Sequence, residues 1–217
     1  MAKNIHSKHF RSAVFQALNA SAECGNSTLQ QKTISLQRFR DATLLSLNHY
    51  LGLSSNELSA LNWLHLIDGR TRKLKITGEI PLPSGKRYLF ISNTDLRSVL
   101  ETFWIFLNQE NCFDLQSPVL ISLRSNGRLS KESVKNRIAK LYLNEGCAEK
   151  NKIDQVSSLS GHKSLRDWLQ QQNVGLRIQG IILNNKKLMR SKTKSETTEN
   201  EINMAMEIMA SYEGMSA

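Results

Sequence analysis

The chain is 217 residues long, with 40% hydrophobic and 22% charged residues. These values are those of an ordinary globular protein, and the length allows one sizeable domain or one domain with a tail. No apolar run approaches the roughly 20 residues that span a bilayer, and the basic N-terminus lacks the apolar stretch of a signal peptide. These features argue against a membrane-spanning or secreted protein, so we expect a soluble, cytoplasmic one.

The formal net charge of +10 favours a polyanionic partner. Nucleic acid is favoured over a membrane surface, because no basic amphipathic helix with bulky apolar residues stands out. The histidine pair His6 and His9 has no acidic or thiol partner nearby, and no two cysteines have zinc-ligand spacing: Cys24, Cys112 and Cys147. We therefore expect reduced thiols, no metal and no cofactor.

The first part of the chain predicts two helices. Apolar residues recur at helical spacing within residues 8–23, and a polar connector is expected from there to about Ile34. Residues 36–51 predict a second helix with three leucines on its buried stripe, Leu44, Leu47 and Leu51. Arg38 and Arg40 are expected at the outer end of this helix.

Residues 50–67 (YLGLSSNELSALNWLHLI) carry the most informative pattern. Ser54 and Glu57 have the form of a capping box, in which each side chain bonds the backbone N–H of the other residue. Two leucines follow at helical spacing. We predict a turn at Gly52, a short capped helix and then the start of a strand.

The order Gly52-Leu53-x-x-x-Glu57-Leu58-x-x-Leu61-x-Trp63-x-x-Leu66 resembles the first conserved box of the tyrosine recombinases, the phage-integrase family. The resemblance implies that family's catalytic domain, with double-stranded DNA as partner. It extends back to about residue 8, and the separate N-terminal DNA-clamping domain of most members has no counterpart in this sequence. In the family, an arginine that grips the scissile phosphate follows Gly-Leu, and here that position is Ser54. A serine cannot supply the paired, permanently charged donors of an arginine.

Residues 70–92 change from helical to β character. Apolar residues alternate with lysines around Ile76, turns are predicted at Gly78 and from Pro81, and residues 88–91 form a second β-rich run. We predict a small antiparallel sheet.

The hairpin of this sheet carries a candidate catalytic lysine. In the family a lysine on the equivalent hairpin protonates the leaving hydroxyl, and Lys86 is the nearest candidate, although it lies closer to the final strand than the family pattern places it. Lys86 and Arg87 are also candidates for phosphate contacts. The alternative is that both are turn residues without a ligand.

Two further helices are predicted in the middle of the chain. Thr94–Gln109 has a core-facing stripe, Leu96, Leu100, Phe103 and Leu107. The apolar run 117–123 and a polar turn lead into a helix over 131–145, whose buried face carries Val134, Ile138 and Leu141. This region resembles the family segment that lies along the DNA, and a solvated helix face is the alternative. Its candidate DNA contacts are Arg124, Arg128, Lys131, Lys135 and Arg137, whereas Lys140 points away.

Residues 159–185 hold the second resemblance to the family. On the register without gaps they match the helix, the turn and the Leu-x-x-Ile-Gln-x-Leu-Leu-Gly-His run that precede the nucleophile. This register places the family's catalytic positions on other residue types. The His-x-x-Arg box falls on Leu159 and His162, the later histidine falls on Asn185, and the nucleophilic tyrosine falls on Lys194.

A looser register remains open, with one extra residue in the box. It keeps His162 and Arg166 as a His-x-x-x-Arg pair, and residues 161–165 also imitate the family's later Gly-His-Lys-Ser motif. The resemblance makes further cations of this region candidate DNA contacts: Lys163, Arg166 and Arg177.

The composition shifts after about residue 188, where a polar, charged linker is expected over 190–201. A helix follows within 202–217, with Ile202, Ala205, Met206 and Met209 on one face. The resemblance suggests that this helix docks in trans on a second copy or on an active recombinase, and packing in cis is the alternative. Tyr212 is the only tyrosine after Tyr142 and so the surviving candidate nucleophile, although its neighbours supply no activating cation.

Together these patterns predict an α+β fold, with an integrase catalytic-domain-like DNA-binding domain over 1–189, the linker and the tail helix. Attack on a phosphodiester needs a cationic clamp and an in-line nucleophile. The leading hypothesis is therefore a DNA-binding pseudoenzyme, an accessory or regulator of recombination or mobile-element integration in a bacterial or phage context. The alternatives are a protein-interaction scaffold and an active recombinase with a rearranged site of Lys86, His162, Arg166 and Tyr212.

Overall fold

A computed structural model describes Val14 and residues 29–82, 85–110, 114–123, 125, 127–144, 157, 159–189 and 197–212. The helix predicted over 8–23 falls outside these residues apart from Val14, as do Arg124, the linker residues 190–196 and Lys194. No helix within the described ranges is long and apolar enough to cross a membrane.

The described residues form mostly helices and one two-stranded antiparallel sheet, which confirms the predicted α+β class. In chain order the elements are α1 (Leu29–Leu51), α2 (Ser55–Ala60), α3 (Trp63–Leu66), β1 (Thr77–Leu82), β2 (Gly85–Phe90), α4 (Thr94–Gln109), α5 (Lys131–Asn144), α6 (Ser160–Gln171), α7 (Leu176–Leu183), α8 (Lys186–Met189) and α9 (Glu199–Ala210).

Helix α1 is the central element of the core. It packs against α4, α5 and α6, and every residue from 39 to 51 is buried. The helix starts at Leu29, so the connector predicted up to Ile34 is wrong in its last residues, which contain no glycine or proline to stop a helix. Arg40 is not at an outer end, because only 6% of it is exposed and its guanidinium bonds Asp41 and the carbonyl of Ile121.

The predicted capped helix after the Gly52 turn is present but short. Both halves of the capping box form between Ser54 and Glu57, and α2 ends at Ala60. The chain is extended at Leu61, and Asn62 then pairs with Pro118 as an isolated β-bridge before α3 begins. The predicted single helix is therefore two short helices.

The sheet pairs Thr77 with Phe90 at one end and Leu82 with Gly85 at the other. Gly78 and Pro81, which we predicted in turns, lie inside β1 instead. Proline is tolerated there because each strand of a two-stranded sheet has an unpaired edge.

Helices α4 and α5 agree with the sequence prediction. Asn93 caps α4, since its side-chain oxygen accepts the N–H of Leu96 at 2.9 Å. The predicted stripe of α4 is at most 1% exposed, and on α5 Val134 and Ile138 are fully buried.

The tail helix α9 packs in cis, against α7 and β2. It begins at Glu199 rather than at residue 202, because Thr198 and Glu201 form a capping box. Its predicted apolar face is turned inward, with Ala205 and Met209 buried. After the helix, the side chain of Asn93 donates to the carbonyl of Tyr212 at 2.8 Å.

Candidate functional site

The Gly52 turn brings together the end of α1, the start of α2 and the first turn of α6. Gly52 has a φ of +59°, and a Cβ atom at this position would lie 3.1 Å from the Cα of His162. The positive φ and the close approach both favour glycine. The turn therefore lies against the start of α6, two residues before Ser54, which the resemblance aligns with the family's arginine.

Ser54 is committed to the helix cap. Its hydroxyl donates to Oε2 of Glu57 at 2.7 Å, and its backbone N–H donates to the same oxygen at 2.7 Å. In return the N–H of Glu57 donates to the Ser54 hydroxyl oxygen at 3.4 Å. The side chain that would have to contact a phosphate is thus held in the cap by a carboxylate.

Arg87 holds the same carboxylate from the sheet. Its Nη1 lies 2.5 Å from Oε1 of Glu57, and its Nη2 donates to the carbonyl of Leu51 at 2.5 Å. Burial alone would raise the pKa of Glu57, but the Arg87 charge and the hydrogen bonds from Ser54 and Arg87 outweigh it and lower that pKa. Glu57 is therefore a carboxylate at neutral pH.

The sequence predicted that Arg87 contacts a phosphate at the surface, but the residue is buried. Only 2% of the residue is exposed. The alternation of β2 explains this, because Arg87 and Leu89 point to the buried face while Lys86 and Tyr88 point to the other. That alternation was visible in the sequence and could have identified Arg87 as an inward residue.

His162 lies next to this group and is half-buried. Burial and then the Arg87 charge lower its pKa, against the opposing effects of a hydrogen bond with the Gly52 backbone and of the Glu57 charge. The imidazole is therefore neutral at pH 7. Arg166, one turn later, is exposed and bonds Asp167 through Nη2 at 3.1 Å.

The remaining described positions that the ungapped register assigns to catalysis are Leu159 and Asn185. Leu159 precedes α6 and is 55% exposed. Asn185 follows the left-handed C-cap Asn184, and its N–H donates to the carbonyl of Gly180 at 2.8 Å.

Tyr212 is enclosed by aromatic rings. Its ring centroid lies 4.7 Å from that of Trp168, 5.5 Å from that of His49 and 6.0 Å from that of Tyr50. The residue is 0% exposed, and its hydroxyl has no hydrogen-bond partner among the described residues. Burial, with a smaller contribution from Tyr50, raises the pKa of the phenol above its usual value.

Several cations that the sequence assigned to DNA are held by carboxylates that are distant in sequence. Lys86 pairs with Glu79 at 2.8 Å, and Lys86 also lies over the ring of Tyr88. Arg137 pairs with Asp41 of α1, and Arg177 pairs with Glu201 of α9. Arg128 instead donates to the carbonyl of Ser59 and to the side-chain oxygen of Asn62. The sequence analysis missed these partners because they become neighbours only on folding.

The lysines on the outer face of α5 differ from these paired cations. Lys131 and Lys135 are exposed and have no side-chain partner within the part of the chain that the structure describes. They are four residues apart, so they lie on one face of the helix. Lys163 of α6 is half-buried and is likewise unpaired among the described residues. Among the described residues, these three lysines are the predicted DNA contacts that no side chain or carbonyl of the fold holds.

No group of three or more histidine, cysteine, aspartate or glutamate side chains within the described ranges could hold a metal ion.

No protein-family model matches the chain, and no curated protein sequence resembles it significantly. Several solved structures, however, resemble the fold of this chain. XerA recombinase superposes with a TM-score of 0.60 at 13% sequence identity, over 94% of this chain and 64% of that one. XerH site-specific recombinase, in a pre-cleavage complex with its difH substrate, gives 0.56 at 14% identity, over 95% of this chain and 54% of that one.

The integrase from mycobacterium phage Brujita also matches, with a TM-score of 0.54 at 13% identity, over 97% of this chain and 57% of that one. The chain thus spans between about half and two thirds of the length of these proteins. Their similarity covers nearly all of this chain, and it confirms the fold that the Gly52 box predicted. The chain has the fold of the tyrosine recombinases and phage integrases.

Proposed function

We propose that this protein binds double-stranded DNA and does not cleave it, acting as an accessory or regulator in site-specific recombination or mobile-element integration. One observation carries the proposal. At the position where the family has its phosphate-gripping arginine, Ser54 is locked to Glu57, and the same carboxylate holds Arg87 in the core. The guanidinium bonded to Glu57 is buried and is not turned to solvent.

Strand cleavage requires more than the fold. A developing phosphorane is stabilised by preorganised cationic donors placed around the phosphate. Arg87 is buried, His162 is neutral, and Arg166 is paired with Asp167. A clamp built from these residues would first have to break an ion pair or charge a half-buried imidazole.

In addition, none of the four tyrosines of the chain is in a state suited to nucleophilic attack. Tyr50, Tyr142 and Tyr212 are at most 1% exposed, and the pKa of Tyr212 is raised by burial. Tyr88, the fourth tyrosine of the chain, is half-buried beside Lys86 on the hairpin. A phenol attacks only after it is exposed and deprotonated.

DNA affinity rests on different residues. Lys131 and Lys135 present two unpaired charges on one helix face, in a chain whose formal net charge is +10. Each lysine that neutralises a phosphate releases condensed counterions, so binding of this kind is strong at low salt and falls as salt rises. The XerH structure contains a DNA substrate, which supports DNA as the partner of this fold.

The DNA-binding half of the proposal is tested by fluorescence anisotropy of a labelled duplex at two salt concentrations. We expect binding at low salt and a steep loss at high salt. Absence of binding at low salt would refute the proposal and turn attention to protein partners.

The other half is tested with a nicked duplex that traps covalent protein–DNA intermediates. We expect no covalent product from the wild-type protein. A trapped product that disappears in Tyr212→Phe or in Tyr88→Phe would show an active recombinase with a rearranged site, and the pair of variants would identify which phenol attacks.

A further inference from the structure

A cavity of about 400 Å³ lies between α3, the hairpin and the tail helix α9. This volume is within the range of small-molecule sites in proteins. Neither the Gly52 turn nor the lysine face of α5 contributes to its wall. The cavity is therefore separate from the DNA-binding surface proposed above.

The hairpin is pressed tightly against α3 at this cavity. A Cβ atom at Gly78 would lie 2.2 Å from the carbonyl oxygen of His65, so only glycine allows β1 to approach so closely. From the other side Ile202 of α9 completes the wall. The wall of the cavity thus comes from three elements, two of which are in close backbone contact at Gly78.

His65 lines the cavity, and its ring has one hydrogen-bond donor left over. Its Nδ1 accepts the backbone N–H of Asn62 at 3.0 Å. Burial, then the charges of Lys75 and Arg128, lower the pKa of His65, so the ring is neutral. A neutral imidazole whose Nδ1 accepts must carry its proton on Nε2. That N–H has no partner among the described residues.

Lys75 supplies a fixed charge on the same wall. Its Nζ donates to the carbonyl of Leu64 at 2.7 Å, which uses one of its three N–H bonds and anchors the ammonium group. Thr77 lines the cavity beside it.

The one carboxylate on the wall does not cancel this charge. Glu79 is paired with Lys86 at 2.8 Å, so the pair is neutral and Lys75 remains as the net charge of the lining. Arg128 acts on His65 from nearby and adds to the positive potential. Tyr88 and Leu64 give the cavity apolar surface beside these donors.

We propose that this cavity binds the phosphate group of a nucleotide, with Lys75 Nζ and His65 Nε2–H as the donors. A phosphate carries several acceptor oxygens and a negative charge, which matches convergent donors around one ammonium. The apolar wall accommodates the group that the phosphate carries. The nucleotide is either free or part of a DNA strand, and the shared chemistry is a phosphate ester.

The proposal is tested by following the ring resonances of His65 by NMR while deoxyadenosine monophosphate is added to the full chain. We expect saturable shifts at His65. Lys75→Met should weaken binding about tenfold or more, because a charge-assisted hydrogen bond is lost, and Lys75→Arg should restore part of it.

Lys73→Met is the matched control, since Lys73 is exposed, two residues away and outside the cavity lining. Equal affinities of Lys73→Met and Lys75→Met would overturn the proposal, as would unshifted His65 resonances at saturating nucleotide. Thermal unfolding of each variant separates loss of binding from loss of fold.

Competition with a short single-stranded oligonucleotide identifies the source of the phosphate. Displacement of the mononucleotide from His65 assigns the cavity to a DNA strand, and retention assigns it to a free nucleotide. The double variant Lys131→Gln, Lys135→Gln separates this proposal from the proposed function, because it should weaken duplex binding and leave nucleotide binding unchanged.

Discussion

The Gly52 turn and the outer face of α5 both carry residues that the family resemblance assigned to DNA, yet the fold uses them in opposite ways. At the turn, Arg87 is 2% exposed and joined to Glu57. On α5, Lys131 and Lys135 are exposed and unpaired within the described ranges. A cation that a buried carboxylate already holds stabilises the fold, and only an unpaired, exposed cation remains for an anionic partner.

The largest loss of stability is expected from breaking the buried ion pair between Arg87 and Glu57. Arg87→Met leaves Glu57 with a buried charge and no cation, which typically costs about 3–5 kcal/mol of unfolding free energy. Urea denaturation of the purified variant measures this loss. Lys86→Met, which breaks the adjacent but exposed ion pair with Glu79, should lower stability far less, because solvent screens that pair. Similar losses for the two variants would show that the buried Arg87–Glu57 pair contributes no more to stability than the exposed Lys86–Glu79 pair.

Substitutions on the outer face of α5 should change DNA binding and leave stability unchanged. Replacing both Lys131 and Lys135 by glutamine should reduce the slope of the logarithm of the binding constant against the logarithm of salt concentration by about 1.8, which is about 0.9 per phosphate contact. Binding near physiological salt should weaken roughly tenfold or more. Anisotropy at several salt concentrations gives the slope. Lys140→Gln is the control, since it removes an exposed charge from the opposite face of the same helix. An unchanged slope in the double variant would place the DNA elsewhere.

The pH dependence of stability sharpens the same comparison. In the wild type the lowered pKa of Glu57 contributes stability that is present above its ordinary value of 4.5 and lost as the pH falls through the folded-state pKa. In Arg87→Met, burial is opposed only by the hydrogen bonds from Ser54, so the pKa of Glu57 is higher than in the wild type and acid costs the variant less stability. The difference in unfolding free energy between the two proteins should therefore shrink from pH 7 to pH 4. A constant difference would contradict this pairing.

The smallest effect is expected at Tyr212. Tyr212→Phe removes a buried hydroxyl that has no partner among the described residues, so stability should change by less than about 1 kcal/mol. Tyr50→Phe, in the same aromatic cluster, removes a hydrogen bond of 3.0 Å to Asp95 and should cost about 1–3 kcal/mol. Thermal or urea unfolding compares the two. A large loss in Tyr212→Phe would reveal a partner for its hydroxyl.

Local patterns predicted much of the fold. The Ser54–Glu57 capping box and helix α4 form as predicted, because a cap and a stripe of apolar residues act over a few neighbouring positions. The Gly52 box also predicted the recombinase fold. The main errors in secondary structure were boundaries, such as the start of α1 at Leu29, where no residue type forces a stop.

The sequence by itself carried the resemblance to the recombinase fold, and it predicts a serine at the family's arginine position and no tyrosine at the expected place. Only the tertiary structure decided which cations are available, because the carboxylates that hold Arg87, Arg137 and Arg177 are between 24 and 96 residues away. The same applies to the Lys75 and His65 cavity, whose walls come from three elements. Ion pairs and cavities depend on distances across the fold, and a linear pattern contains no such distances.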